Sequence, residues 1–548
     1  MNHAWILAVS VALTASLPTL ADGTARGVVY DDRNGNQRRD DGEPGIADVA
    51  VSNGREVVAT SPDGRYELPV EDDTIVFLHK PRGWMTPVDH NGLPKFFYLH
   101  KPAGSPPLKY EGVAPTGALP DALDFPLRRQ DEPDAFNVVA FGDPQPYSIE
   151  EVQYYAHDIV EEVIGVDAKF GLSLGDLVGD DLTLMAPLNE VTGRIGLPWY
   201  HILGNHDMNY DAADDRHSDE TFERVYGPPY YAFDYGQTHF VVLDDVNWIG
   251  PRGNEKGRYE GRFGEKQLEW LRNDLARVPA DRLVVCTFHI PLADVKDKQP
   301  FLDALAGHPK QLSLAAHWHM QTHYHEGADT ESAGPAARPR AEGAHTTDGQ
   351  ALETNGHAHA SPSRGHHHFI VGTASGSWWR GMPDEYGIPH TQMRDGAPNG
   401  WLLISFDGAD YKWRYKAARR PWSHQMSIFA PETAPARASH EVEVVVNVFC
   451  GSERARVEMR VDDGGWRPMS PERRPDPYYV ATRAREEKAE QVKLEGLRVS
   501  PKPAESPHLW VGRLGESLTP GGHVIEIRAT DMFNQVFEDR RIIRITSE

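Results

Sequence analysis

At 548 residues the chain is too long for a single hydrophobic core, and about 150 residues per domain suggests three or four units. Hydrophobic residues at 39%, among them 19 Phe, 20 Tyr and 13 Trp, suffice to build those cores and exclude a wholly disordered chain. A formal charge of -25 argues against nucleic acid polymers and anionic membranes as partners, so a phosphate-bearing ligand would need local positive charge, for which metal ions are the natural source.

Ile6 to Leu17 form an apolar run too short to span a bilayer comfortably, and Thr19-Leu20-Ala21 follows as a small-residue cleavage pattern. This predicts a signal peptide over 1–21 and a periplasmic or secreted protein. A buried first strand or helix is the competing reading, because no Lys or Arg precedes the run. No later segment is apolar for long enough to make a transmembrane helix. The cysteines, Cys286 and Cys450, fall in different predicted domains, so no disulfide framework is expected.

Residues 22–130 read as a small β domain: G-V-V-Y, V-A-V-S and R-Y-E-L-P-V are short strand-like runs between N-G, P-D-G and D-D turn signals. The pattern resembles the immunoglobulin-like (Ig-like) modules of exported bacterial proteins. Within it, Asp32, Asn34, Asn36, Asp40 and Glu43 stand at positions 1, 3, 5, 9 and 12 of a calcium loop, with Gln37 where Gly is expected at position 6. A plain acidic turn is the alternative. Pro102 to Pro126 reads as a linker or edge loop.

Residues 131–420 alternate strand patterns (F-N-V-V-A-F, F-G-L-S-L, W-Y-H-I-L, H-F-V-V-L, R-L-V-V-C-T-F, Q-L-S-L-A-A) with helical spacing over Ile149–Ile164 and Glu265–Arg277. That argues an α/β sheet with helices on its faces. An insertion over 327–364 has no apolar period and reads as a mobile, histidine-rich loop, either for metal capture or simply polar. His366, His367 and His368 precede F-I-V-G-T, so alternate members should face opposite sides of a strand, which would let one of them approach the active site. Residues 421–548 return to strand alternation with little helix, which predicts a C-terminal β-sandwich.

The chemistry lies in five polar clusters, each after an apolar run: F-G-D-P-Q, L-G-D-L-V-G-D, L-G-N-H-D, T-F-H-I-P and A-A-H-W-H. Functional groups gathered at the carboxyl ends of strands are usual in open α/β sheets. These motifs resemble the calcineurin-like metallophosphoesterase family, and G-H-H-H-F-I-V-G-T-A-S-G-S-W-W-R-G resembles a bacterial subgroup with β domains on both sides. The resemblance implies a central four-layer α/β sandwich. It also implies that Asp143, Gln145 and His319 hold one metal, Asn205, His289 and His317 a second, and Asp176 bridges both.

Mixed carboxylate, amide and imidazole ligands suit two divalent or trivalent ions such as Mn, Fe, Co or Zn. A hydroxide bridging them would be the nucleophile, with His206 as general acid and Asp207 orienting its ring. Gln145 replaces the usual His and either ligates through its amide oxygen, favouring a harder ion, or holds only a metal-bound water. Ala316 replaces the usual Gly, where a positive φ would be strained. Asp180, Asp181, Asp244 and Asp245 are either supports of the site or solvated loop acids.

For the substrate, Asn209, Tyr210, Trp378, Trp379 and Arg380 are candidate contacts; an Arg can fork onto phosphate oxygens, while core packing competes for the Trp pair. The expectation is an exported phosphodiesterase or phosphomonoesterase acting on a small-molecule or lipid-head-group phosphoester. Its competitors are a cell-envelope binding protein with a vestigial metal centre and a metal-storage protein.

Overall fold

The computed structural model describes residues 23–253, 255–326, 365–515 and 518–547. The expected signal peptide and the insertion at 327–364 lie outside the described residues. In the strand Ala135–Phe141, Phe136, Val138 and Ala140 enter one apolar core while Val139 and Phe141 enter another. Side chains alternate across a strand, so burial of both faces explains the apolar run Val138–Phe141.

Two sheets follow from this pattern. The first runs Trp199–His201, Phe170–Ser173, Ala135–Phe141, Gly400–Asp407, Asp410–Ala417, the first three strands being parallel. The second runs Tyr231–Tyr235, Thr238–Val242, Leu283–Thr287, Gln311–Ala315, His366–Ile370, Thr322–Glu326, with four parallel inner strands. Aromatic rings join the two faces: Phe170 lies 5.2 Å and Phe406 5.5 Å from Phe240.

Helices Ile149–Tyr155 and Met185–Thr192 cover the first sheet through Val152, Tyr155 and Leu188; Glu265–Leu275 and Lys298–Leu305 bury Leu271 and Phe301 against the second. The predicted Ile149–Ile164 helix widens to a π turn at Ala156–Val160.

The N-terminal unit has two four-stranded sheets whose core is continuous with the central one. Buried charge also ties it down. The Lys101 ammonium lies 2.5 Å from Asp73, 2.6 Å from Glu220 and 2.7 Å from Glu223. Asp73, Glu220 and His217 converge as a cation site would, and Lys101 supplies that charge. Of the stretch Pro102 to Pro126, the part through Glu111 packs on the central unit, with Thr221 Oγ1 and Arg224 Nε both donating to the Glu111 carbonyl, whereas Phe125 and Pro126 begin an inner strand, Phe125–Arg129, paired with Gly23–Asp31. In the loop proposed for calcium, Asp32 accepts from the Gly35 and Gln37 amides, while Asn34 and Asn36 donate to Asp40 at 2.7 Å each.

The C-terminal unit packs a four-stranded and a five-stranded sheet around Val446, Trp510, Ile525 and Ile543. It also contains a helix, Pro477–Gln491, where little helix was expected. Asp476 caps it, accepting from the Tyr479 amide at 2.8 Å, and Pro477 occupies its first turn. Its surface is polar nearly all round, so hydrophobic periodicity could not mark it. Among the described residues no helix is long and apolar enough to cross a membrane. Cys286 and Cys450 are buried and unpaired.

Candidate metal centre

The parallel strands of both sheets deliver their carboxyl ends to one edge of the molecule. Loops of the first sheet bring oxygen donors, Asp143, Gln145, Asp176 and Asn205, whereas loops of the second bring the imidazoles of His289, His317 and His319. Glycines let the loops meet: a Cβ on Gly204 would lie 1.9 Å from the Asp176 amide, and one on Gly175 (φ +87) would lie 2.5 Å from His289 Nδ1.

The donors form two lobes. In one, His319 Nε2 lies 3.0 Å from Gln145 Oε1. In the other, His289 Nε2 lies 3.1 Å from Asn205 Oδ1 and 3.2 Å from His317 Nδ1. Asp176 sits between them, Oδ1 3.2 Å from His289 Nε2 and Oδ2 3.4 Å from Gln145 Nε2. Asp143 is fully buried, accepts from the His317 amide at 3.1 Å, and has an oxygen 4.0 Å from His289 Nε2.

These residues fit metal ions. His319 Nδ1 donates to the Gly376 carbonyl at 2.5 Å, and His289 Nδ1 to the Leu174 carbonyl at 2.8 Å, which turns both Nε2 atoms inward. Burial holds the His319 ring down at about 4, so at neutral pH its Nε2 lone pair faces an amide oxygen. A cation between two acceptors at that distance relieves their repulsion, and about 3 Å is the spacing of adjacent ligands around an ion with bonds of about 2.1 Å. Asp176, His289 and His317 place donor atoms within 4.8 Å of one another. The set is consistent with a binuclear centre of divalent or trivalent ions. Burial drives Asp143 upward in pKa, whereas for Asp176 the surrounding imidazoles, His289 first, outweigh burial and hold it down.

Backbone strain concentrates here. Asp143, Gln145, Asp176, Asp180, His317, His319, Trp378 and Trp379 all have φ between 36° and 68°. Each such residue other than Gly costs on the order of 1–3 kcal/mol and persists only where the surroundings enforce it. Ala316 is not among them; the left-handed residue is His317, so the exchange of Gly for Ala brings no backbone penalty.

The expectation that Asp207 orients His206 needs correction. Asp207 is buried and accepts from the backbone amides of Leu177, Val178 and Gly204 at 3.0, 3.0 and 2.9 Å. Its carboxylate is spent on joining two ligand loops. Asp180 orients the ring instead, its Oδ1 lying 2.6 Å from His206 Nδ1. Burial would lower the His206 pKa, but Asp176 and Asp180 outweigh it and lift the ring to about 9. Asp245 is likewise structural, accepting from the His289 and Ile290 amides at 3.1 and 3.0 Å.

The substrate candidates separate. Asn209 is buried, with its amide engaged on both sides by Thr221, and Trp379 is a core residue whose Nε1 donates to the Pro144 carbonyl at 2.9 Å; neither is free to meet a ligand. Tyr210 is exposed and donates to the Asn205 carbonyl at 2.5 Å. Trp378 is half-buried, its ring 4.2 Å from that of His319, and Arg380 is exposed 5.9 Å from the Trp378 ring. Sequence reasoning missed Tyr147, whose hydroxyl lies 3.3 Å from Gln145 Nε2, and Tyr259, whose ring is 6.1 Å from His317; only their nearness to motifs in the fold reveals them.

His366 and His368 share Ser313 while His367 turns the other way to Tyr411, as strand alternation requires. None of the three joins the donor lobes: His368 Nε2 accepts from the Leu292 amide. His345, His357 and His359 lie outside the described residues.

Comparison with known proteins agrees with the geometry. Residues 33–109 match a family model for the N terminal of calcineurin-like phosphoesterase, 136–321 one for calcineurin-like phosphoesterase, and 368–537 one for the C terminal of calcineurin-like phosphoesterase. Over 100 residues the chain is 27% identical to a probable cyclic nucleotide phosphodiesterase of Rhodococcus erythropolis, covering 17% of this chain and 33% of that protein. The chain therefore spans about a third of that relative's length. A purple acid phosphatase from yellow lupin (Lupinus luteus) seeds is 12% identical, with 72% of this chain and 67% of that one covered at a TM-score of 0.33, a likeness too loose to assign anything. Motif order, paired sheets and three consecutive family matches converge: this chain belongs to the calcineurin-like phosphoesterase family, as a central α/β core flanked by N- and C-terminal β-rich domains.

Proposed function

We propose that the protein is an exported, metal-dependent phosphoester hydrolase, with Asp143, Gln145 and His319 around one ion, Asn205, His289 and His317 around a second, and Asp176 shared. The observation that carries this is the inward-turned pair of Nε2 atoms facing oxygen donors across Asp176. Two bound cations supply Lewis-acid charge to a phosphoryl group and acidify water. The chain's own part is to hold and move a proton. Asp180 fixes Nδ1 of His206, which leaves Nε2 to protonate the departing oxygen. Tyr147, Tyr210, Trp378 and Arg380 form the rim that would orient the ester, Arg380 by forking onto phosphate oxygens.

A diester substrate is favoured by the name of the Rhodococcus relative; small-molecule and lipid-head-group esters both remain within this reading. Export rests on the Ile6–Leu17 run and Thr19-Leu20-Ala21. Mn, Fe, Co or Zn suits the mixed donors. Calcium in the Asp32–Glu43 loop and an Ig-like identity for the N-terminal unit belong to the same proposal, supported by that loop's oxygen-rich side chains and by the two four-stranded sheets.

The metal-loaded chain should cleave bis-p-nitrophenyl phosphate or p-nitrophenyl phosphate. Asp176→Ala should reduce turnover to background with loss of bound metal, and His206→Asn should lose most turnover while keeping its metal. No activity on a broad phosphoester panel with metal bound would overturn the reading in favour of a binding protein. A chelator that leaves the thermal midpoint of an Asp32→Ala/Asp40→Ala variant unmoved, but lowers that of the parent, would support calcium.

A further inference from the structure

The loop that carries Trp378 and Trp379 is held by the C-terminal domain. Arg498 lies between the helix Pro477–Gln491 and the strand Glu505–Arg513. Its Nη2 is 2.5 Å from Glu151 Oε1, 2.9 Å from the Trp378 carbonyl and 3.0 Å from the Trp379 carbonyl. Its own carbonyl accepts from the Gly381 amide at 3.0 Å. Two successive tryptophans in the left-handed region, at φ 59° and 53°, thus turn their carbonyls onto one guanidinium, a cation that offsets the strain of that conformation.

Each partner of Arg498 leads to the metal centre. Glu151 is buried and its other oxygen accepts from the Tyr147 amide at 2.8 Å, which places the Tyr147 hydroxyl beside Gln145. Trp379 donates to the carbonyl of Pro144, the residue between Asp143 and Gln145. Trp378 leans on His319, tilted by 34°. Farther along the same segment, the Ala504 amide donates to the Arg394 carbonyl at 2.9 Å, and the Arg394 amide in turn reaches the His319 carbonyl at 3.4 Å.

We infer that Arg498 is a positioning residue through which the C-terminal domain sets the substrate wall of the centre, fixing Trp378 against His319 and Tyr147 against Gln145. The inference rests on the phosphoesterase reading for its kinetic consequence and on the contacts alone for its structural one. It gives the C-terminal domain a part in recognition that none of the five motifs contains.

The test uses the full metal-loaded chain. Arg498→Ala should raise KM for bis-p-nitrophenyl phosphate about tenfold and change kcat by less than about threefold, with metal content unchanged, because it loosens a binding wall and leaves the donors in place. Arg498→Lys should recover part of the KM lost in Arg498→Ala, since all three contacts run to the single Nη2 and an ammonium keeps a charged donor there. Arg498→Ala combined with Glu151→Gln removes the buried carboxylate left without its partner and should show the same KM, which separates positioning from misfolding.

A readout independent of turnover is near-ultraviolet circular dichroism. The band lost in Trp378→Phe should also be lost in Arg498→Ala. A KM within about twofold of the parent, or a retained Trp378 band, overturns the inference. An inactive parent chain with metal bound would refute the phosphoesterase reading, and the spectrum alone would then decide the positioning role.

Discussion

The N-terminal domain meets the central unit through buried charges, Lys80 with Glu132 at 2.6 Å and Lys101 with Glu220 and Glu223, whereas the C-terminal domain combines two polar pairs, Arg498 with buried Glu151 and His508 with Asp395, with hydrogen bonds from Arg498 and Ala504 to the carbonyls of Trp378, Trp379 and Arg394. The physics of the two grips differs. A buried charge is costly without its partner, so the first grip governs whether the domains stay folded together. The C-terminal bonds to loop carbonyls cost little to break but fix where a loop stands, so they govern the shape of the rim. The N-terminal side touches the rim more lightly, where the Tyr110 hydroxyl donates to the Asp180 carbonyl at 3.0 Å.

The largest loss is expected from Lys101→Met. It leaves Glu220 and Glu223 buried without the ammonium and should cost about 3–5 kcal/mol of stability by denaturant titration, while kcat of the folded fraction is unchanged. A loss below about 1 kcal/mol would remove the distinction between the two grips.

Alkaline pH probes the same interface. His239 is buried between Asp234 and Asp274, at 2.7 and 2.9 Å, and Asp274 also pairs with His79 of the N-terminal domain at 2.7 Å. Burial alone would lower the His239 pKa; the two carboxylates outweigh it and raise the ring to about 10. The folded state therefore keeps a proton that the unfolded state releases near 6.5, so this stabilisation is complete below that pH and is lost as pH rises through about 10. The thermal midpoint should fall from pH 7 to 10, and His239→Gln should flatten the fall; a parent profile that rises over this range contradicts the assignment.

At the rim, Asp180→Asn should lower kcat about 10- to 100-fold with metal content intact, because it weakens the partner that orients His206. Asp207→Asn should act mainly on the thermal midpoint, through its three backbone amides. Equal kinetic losses without a stability change in Asp207→Asn would return the orienting role to that residue. The smallest effect is expected for Tyr110→Phe, which removes one hydrogen bond worth about 0.5–1.5 kcal/mol and should reduce kcat by less than about tenfold.

Much of the central fold was legible because a doubly buried strand is apolar along most of its length: F-N-V-V-A-F, F-G-L-S-L and R-L-V-V-C-T-F all became parallel strands. The helix Pro477–Gln491 was not, because a polar surface leaves no period, though Asp476 and Pro477 carried its start signal. Proximity within a motif misled in one place. Asp207 follows His206 directly, yet a three-residue 3-10 turn over Asn205–Asp207 sends its carboxylate back to Gly204, and the ring finds Asp180 instead. Trp378 and Trp379 are adjacent and alike in sequence, but opposite in fate, one on the rim and one in the core.

Sequence alone singled out the candidate metal ligands, since carboxylate, amide and imidazole groups behind apolar strands are donors by their own valence and the strands need burial. It determined the family as well, because those groups recur in a fixed order. Only the tertiary structure decided which sheet contributes which donor, that Asp180 holds His206, and that a guanidinium some 120 positions beyond Trp378 in the chain grips its carbonyl. These depend on packing between segments remote in sequence, and neither side-chain chemistry nor periodicity records where two distant backbones will meet.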